Sequence, residues 1–225
     1  MPKDPTTAPF GARAAPDLPD EPLAPWEPAP AAAEFSIEQA RLDAVPGLAG
    51  LEATGGRIEQ CELDGTSLAG SRLRSLALID VVARRIDTSN ADWRGASLRR
   101  VVFEACRMTG FSATELDAED VVFRDCKLNL ASFQLGRFRR ATFEGCVLDE
   151  ADLSGATLIE TRFAGSQLRR IELEGVRLTR VDLRGAQLEE PRGDVRNLRG
   201  AIVDHVQLVG LAPVLAHGLG ITVSD

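Results

Sequence analysis

The feature that most constrains this chain is a period of five. Taking every fifth residue from Ile58 to Leu208 gives 31 positions, and 26 of them are Leu, Phe, Ile, Val, Met or Trp; the exceptions are Ala83, Thr88, Ala113, Ala118 and Gly193. A second series lies two residues earlier, from Gly56 through Cys61, Thr66 and Ser71, and 24 of its 31 members are Gly, Ala, Ser, Cys, Thr or Val. Five matches neither the 3.6-residue helix nor the two-residue strand. Within each five, however, the two inward positions are two apart, so extended backbone places both on one face. The remaining three residues must turn a corner. Gly145, Gly155, Gly165, Gly175 and Gly185 sit two after the large residue, which eases unusual φ values there. Because these glycines recur every ten residues, alternate corners are expected to differ. A chain that turns every five residues and buries one large and one small side chain per side closes into a solenoid.

Units such as ADLSG (151–155), ATLIE (156–160), TRFAG (161–165), VDLRG (181–185) and AQLEE (186–190) resemble the pentapeptide-repeat family, over residues 56–208. The resemblance implies an all-β fold, a right-handed quadrilateral β-helix with four repeats per coil. About eight coils are then expected. Residues 20 apart become neighbours at roughly 4.8 Å, the spacing of paired strands. On that rule Phe103, Phe123, Phe143 and Phe163 form one stacked ladder and Cys106, Cys126 and Cys146 another.

Outside the repeats, residues 1–34 hold nine of the twelve prolines and little periodic apolar content. Such a segment cannot offset its ordering entropy, so a disordered acidic tail is expected, with Trp26 as an isolated docking candidate. Residues 35–55 read as an N-terminal cap: Ser36 and Gln39 have capping-box spacing ahead of Ile37, Leu42 and Val45, which predicts a short helix. Residues 209–225 read as a C-terminal cap, with a helix beginning near Pro213 and stopping at Gly218. An open solenoid end must be covered or paired. The resemblance adds homodimerisation through that end, with Leu211, Val214, Leu215, Leu219 and Ile221 as candidates.

The formal charge is −8. Residues 1–50 carry eight acids and three bases, or −5, leaving 26 acids and 23 bases, or −3, on the remainder. That balance points away from direct nucleic-acid or membrane-surface binding. No stretch approaches the roughly 20 apolar residues of a spanning helix, and the N-terminus lacks a signal-peptide pattern, so a cytoplasmic protein is expected.

No catalytic, metal or cofactor site is read from the residues. The four cysteines occupy small inward positions, where a thiol packs as a small hydrophobe. His205 and His217 have no readable partners, and the glycines follow the repeat without forming a phosphate loop. The candidate surface is the most basic side, Arg99, Arg100, Arg137, Arg139 and Arg140, interrupted by Asp117, Glu119 and Asp120. Cross-coil ion pairing explains the same residues. A second candidate is a protruding loop at Glu190, Pro191, Arg192, Gly193 and Asp194, where the repeat loosens as it does at 83–90 and 110–120. The expected function is a non-enzymatic scaffold that presents its faces to a protein partner. The alternative implied by the resemblance is a DNA-mimicking inhibitor or protector of a type II topoisomerase (DNA gyrase), which confers quinolone tolerance. A mimic needs a strongly acidic face; no side of this rod shows one.

Overall fold

The computed structural model describes residues 13–26, 35–218 and 220–222. Its body is a parallel β-solenoid of about nine turns. Strand pairing runs in a strict 20-residue register: Leu78 pairs with Leu98, Phe103 with Phe123, Phe143 with Phe163 and Leu168 with Leu188. Each coil therefore has four sides of five residues. Side one is centred on Leu98, Phe138 and Leu158; side two on Phe103, Phe123 and Phe143; side three on Met108, Leu128 and Leu148; side four on Trp93, Phe133 and Leu153. The stretches 83–90 and 110–120 keep the register despite their atypical residues.

The corners answer the question of how an L-chain turns so often. Every fifth residue from Gly55 to Glu190 has a positive φ, whether it is glycine or not; Asp80 lies at +55°, Arg100 at +52° and Leu130 at +58°. The expected alternation of corner types does not occur. Glycine relieves this geometry without defining it, because the left-handed residue turns the strand where the ladder bonds of adjacent coils hold it. Each non-glycine corner costs about 1–2 kcal/mol, which the sheet and the core must offset.

Inside, the large positions form continuous columns. Phe103, Phe123, Phe143 and Phe163 stack with centroids 5.1, 4.8 and 4.8 Å apart and planes within 9°. Several of the small inward residues are polar without being orphaned. Cys106, Cys126 and Cys146 donate through Sγ to the carbonyls of Ala83, Phe103 and Phe123, and Ser166 Oγ donates to Phe143 O. A side chain with one donor on a short stem thus satisfies itself against the coil below, which is why Ser, Thr and Cys suit this position. All four thiols are buried and free, and burial pushes the Cys61 thiol up.

The N-terminal cap departs from the sequence expectation, whereas the expected C-terminal helix is present and begins earlier than predicted. Residues 35–55 form strands in place of a helix, at Ser36–Glu38, Ala40–Asp43 and Glu52–Thr54. Ile37 and Leu42 are five apart, which is the repeat's own period, and Ile37 pairs with Ile58. The register there is 21 and returns to 20 at Glu52 and Arg72. One extra residue, accommodated between Val45 and Gly50, hid the first coil from a strict five-residue count.

The tail expectation also fails over the described residues 13–26. Ala24–Pro25 pairs with Ala40–Arg41 on the open edge of the first coil, and Trp26, half-buried against the core, donates its N–H to Arg41 O at 2.9 Å. Backbone pairing to a free edge needs no apolar periodicity, so the composition of this segment gave no sign of it. The remaining tail residues lie outside the described ones.

At the far end the repeats stop at Ala201–Ile202, before the predicted 208, and one helix spans His205–Gly218. Asp204 and Gln207 form a reciprocal capping box: Asp204 Oδ1 accepts from Gln207 N and Gln207 Oε1 from Asp204 N, both at 2.9 Å. The side-chain amide of Gln207 also donates to Leu183 O and, at 2.7 Å, to Ala186 O. The helix start therefore covers carbonyls that the next coil would have paired. Pro213 sits within the helix and does not open it.

Candidate interaction surfaces

The arginines of the basic side predicted from sequence are mostly paired with its acidic band. Asp117, Glu119 and Asp120 stack between the arginines below and above them. Arg99 binds Asp117 at 2.6 Å, Arg139 binds Glu119 at 3.2 Å, and Arg140 binds Asp120 at 2.7 Å and Glu119 at 2.6 Å. Arg100 grips Asp80 with two bonds of 2.6 Å. The hydrogen bond from Arg99 holds the Asp117 carboxyl below its usual range, and Arg140 does the same for Asp120. Burial pushes Asp80 up, but Arg100 and the N–H of Asp17 outweigh it and leave its carboxyl low as well. Arg137 stands exposed beside a shallow groove of about 390 Å³ shared with Asp117, Thr157, Ile159 and Arg177. Seven of the eight candidate residues thus engage one another or Asp80 in cross-coil pairs. Each exposed pair is worth about 0–1 kcal/mol, and each carboxylate offsets the arginine it binds.

The predicted loop does not protrude. Arg192 bridges to Glu172 in register, and Gly193, at φ +104°, lies so close that an added Cβ would come 2.9 Å from Glu174 N. Asp194 then caps a short 3-10 turn, Val195–Leu198, accepting from Arg196 N at 2.8 Å. Glu190, at φ +49°, is the last corner of the unbroken five-residue series. Glycine at an inward position lets the strand sink where a large side chain would have held it out.

Among the cap candidates, Leu211 is buried, Val214 and Leu215 are half-buried, and Leu215 packs against the core. These residues hold the helix to the rod. Ile221 is exposed, together with Val206 and Val209, which the sequence reading passed over, and Leu219 lies outside the described residues.

The sequence reading also missed two leucines. Leu130 and Leu135 are each 58% exposed. They occupy successive corners at φ +58° and flank side four, whose centre presents the uncharged Ser112, Thr114, Ser132 and Gln134. The signal was present in the phase of the repeat, since an apolar residue at a corner position cannot reach the core. No helix among the described residues is long and apolar enough to cross a membrane.

Comparison with known proteins agrees with this architecture. Residues 117–192 match the family model described as a pentapeptide repeat region. Full-length QnrB1, a plasmid-mediated fluoroquinolone resistance protein, is similar in structure, with a TM-score of 0.51 and 19% identity over 83% of this chain and 98% of that one. HetL, a pentapeptide repeat protein involved in heterocyst differentiation regulation from the cyanobacterium Nostoc sp. strain PCC 7120, gives a TM-score of 0.34 and 18% identity over 75% of this chain and 89% of its own. Among curated proteins none matches the sequence. At 19% identity the likeness to QnrB1 is one of fold. The five-residue register and the four-sided coil extend beyond the matched residues 117–192, so the likeness to a pentapeptide repeat region is one of repeat and fold.

Proposed function

We propose that the chain is a rigid scaffold that binds a protein partner across side four, with Leu130 and Leu135 as its apolar anchors. The observation that carries this reading is the pairing of those two exposed leucines, on adjacent corners, with a strip of neutral hydroxyl and amide groups between them. Isolated charge is cheap to solvate. Two large apolar side chains held rigidly in water are costly unless something covers them. The test is cross-linking capture with the full chain and with a Leu130→Glu/Leu135→Glu variant of unchanged circular dichroism. A partner recovered by the first and lost by the second supports the reading; equal recovery removes side four from it.

A second reading names the partner as a type II topoisomerase such as DNA gyrase. It is favoured by the C-terminal half of side four, where Asp152, Glu172, Glu174 and Asp194 supply regularly spaced carboxylates. A gyrase supercoiling assay with the protein titrated in, with and without a quinolone, tests it. Inhibition or rescue from the drug supports the topoisomerase, and no effect at high excess removes it. Homodimerisation through the C-terminal end would use Val206, Val209 and Ile221, and light scattering of a Val206→Glu/Val209→Glu variant would report it.

A further inference from the structure

The corner between sides one and two carries the longest run of alternating charge among the described corners. Its residues are Asp80, Arg100, Asp120, Arg140, Glu160 and Arg180, alternating in sign with each coil. Beside this ladder, the outward column of side two reads Val82, Val102, Val122 and Thr142. These side chains point away from the core, yet Val82 is only 9% and Thr142 only 6% exposed. The N-terminal arm bonds to the corner beside them. The N–H of Asp17 donates to Asp80 Oδ1 at 2.8 Å, and Gln60 Nε2 donates to Asp17 O at 3.2 Å. Further along, the backbone of Ala14 is among the groups that hold the Asp120 carboxyl low, and Arg13 lies in the field of Arg162, Asp120 and Glu144. The arm therefore runs along the rod axis, across the strands.

The spacing explains why this corner and this arm fit. Asp80 and Asp120 are two coils apart, about 9.6 Å at the strand spacing. Ala14 and Asp17 are three residues apart, and one turn of a polyproline II helix takes three residues and about 9.3 Å. The arm has proline at every third position, Pro16, Pro19, Pro22 and Pro25, the pattern that presets such a helix. A carboxylate on every second coil thus meets an N–H on every third residue. The intervening arginine keeps each carboxylate charged and aimed, and the valine column offers an apolar floor.

We propose that this corner is a docking track for an extended proline-rich segment, that residues 13–26 are its resident occupant, and that a partner protein's segment with proline at every third residue takes the track by displacing them. The track is separate from side four and stands whether or not Leu130 and Leu135 bind anything. Selection is by backbone N–H and period, so the partner's intervening residues are free to vary. The resident arm sets a threshold: only a segment that competes with a tethered copy of itself gains entry.

The test uses the full chain and a fluorescein-labelled peptide with the sequence of residues 13–26. A full-length Ala14→Pro/Asp17→Pro variant removes the two N–H groups from the arm and leaves every residue of the rod unchanged. Fluorescence anisotropy is expected to show saturable binding to this variant, at least tenfold tighter than to the unaltered protein, whose arm competes. The same peptide N-methylated at its Ala14 and Asp17 positions keeps its charge and is expected to bind at least tenfold more weakly. Absence of binding to the variant, or equal binding of the N-methylated peptide, overturns the proposal. Light scattering on the same samples covers the other occupant: an unaltered protein that is dimeric and dissociates on adding peptide would reassign the track to a second copy's arm.

Discussion

The middle of the rod and its C-terminal third share one backbone register but solve different problems. Between Gly95 and Arg140 only two of ten corners are glycine, Gly95 and Gly110, so eight residues bear the left-handed strain. The core beneath them is aromatic: the Phe103 to Phe163 stack is crossed by Phe133 and Phe138, whose rings meet at 84° with centroids 5.5 Å apart. Between Gly145 and Glu190 five of ten corners are glycine, and the core is leucine. There Leu173, Leu178 and Leu183 leave a small apolar cavity of about 20 Å³, and Leu178 is only half-buried. Strained corners stand over the tightest packing and relaxed corners over the loosest. Corner strain is tolerated in proportion to the core that opposes it.

The largest test of that contrast is burial of a charge in each region. Phe143→Asp is expected to abolish the β circular dichroism signal, because it breaks a continuous stack from within. Leu183→Asp, one coil from the cap, is expected to keep most of the signal with a lowered Tm, since a solenoid's stability sums over neighbours. Equal loss in both would break the comparison.

Acid titration comes next. Asp80, Asp117 and Asp120 all have carboxyls below the unfolded value of about 3.9. Their contribution is therefore complete above that value and is lost as pH falls through their lower folded values. Tm should stay level from about pH 7 to pH 5 and drop below about pH 4. The drop should be shallower in Asp120→Asn, which no longer has that carboxylate to lose. A Tm indifferent to acid would show the ion-pair ladder to be inert.

Two smaller effects sharpen the picture. Leu183 continues the column of Phe163, so Leu183→Phe should fill the cavity and extend the stack, raising stability by about 1 kcal/mol in urea unfolding. Leu130→Gly relieves a corner at φ +58° and should add up to about 1 kcal/mol. If Gly185→Ala, a reversal of that change at φ +75°, costs nothing, corner strain is not what separates the two regions.

Much of this was legible from residue types alone. The phase of large and small residues defined the coil, and the 20-residue rule placed the phenylalanine and cysteine ladders before any coordinates. The first coil was missed because one residue added between Val45 and Gly50 shifts Ile37 and Leu42 out of phase with Ile58. The basic side looked charged because sequence shows which residues share a side, whereas ion pairing depends on how arginines reach between coils. The arm was illegible for a different reason. Its hydrogen bonds use backbone N–H groups, which every residue except proline carries, and carboxylates forty residues apart.

The reciprocal box of Asp204 and Gln207, with the glutamine amide spanning two carbonyls of the coil beneath, also decides how long the rod is. Any coil presents backbone carbonyls on its upper edge, so this part of the terminator reads backbone, while Leu211 and Leu215 fit the side chains of the last coil. Adding or removing 20 residues upstream would move that terminator by one strand spacing, about 4.8 Å, and leave its fit unchanged. The molecule is built like a measuring stick with an end stop, in which length can vary in whole coils while both ends stay sealed.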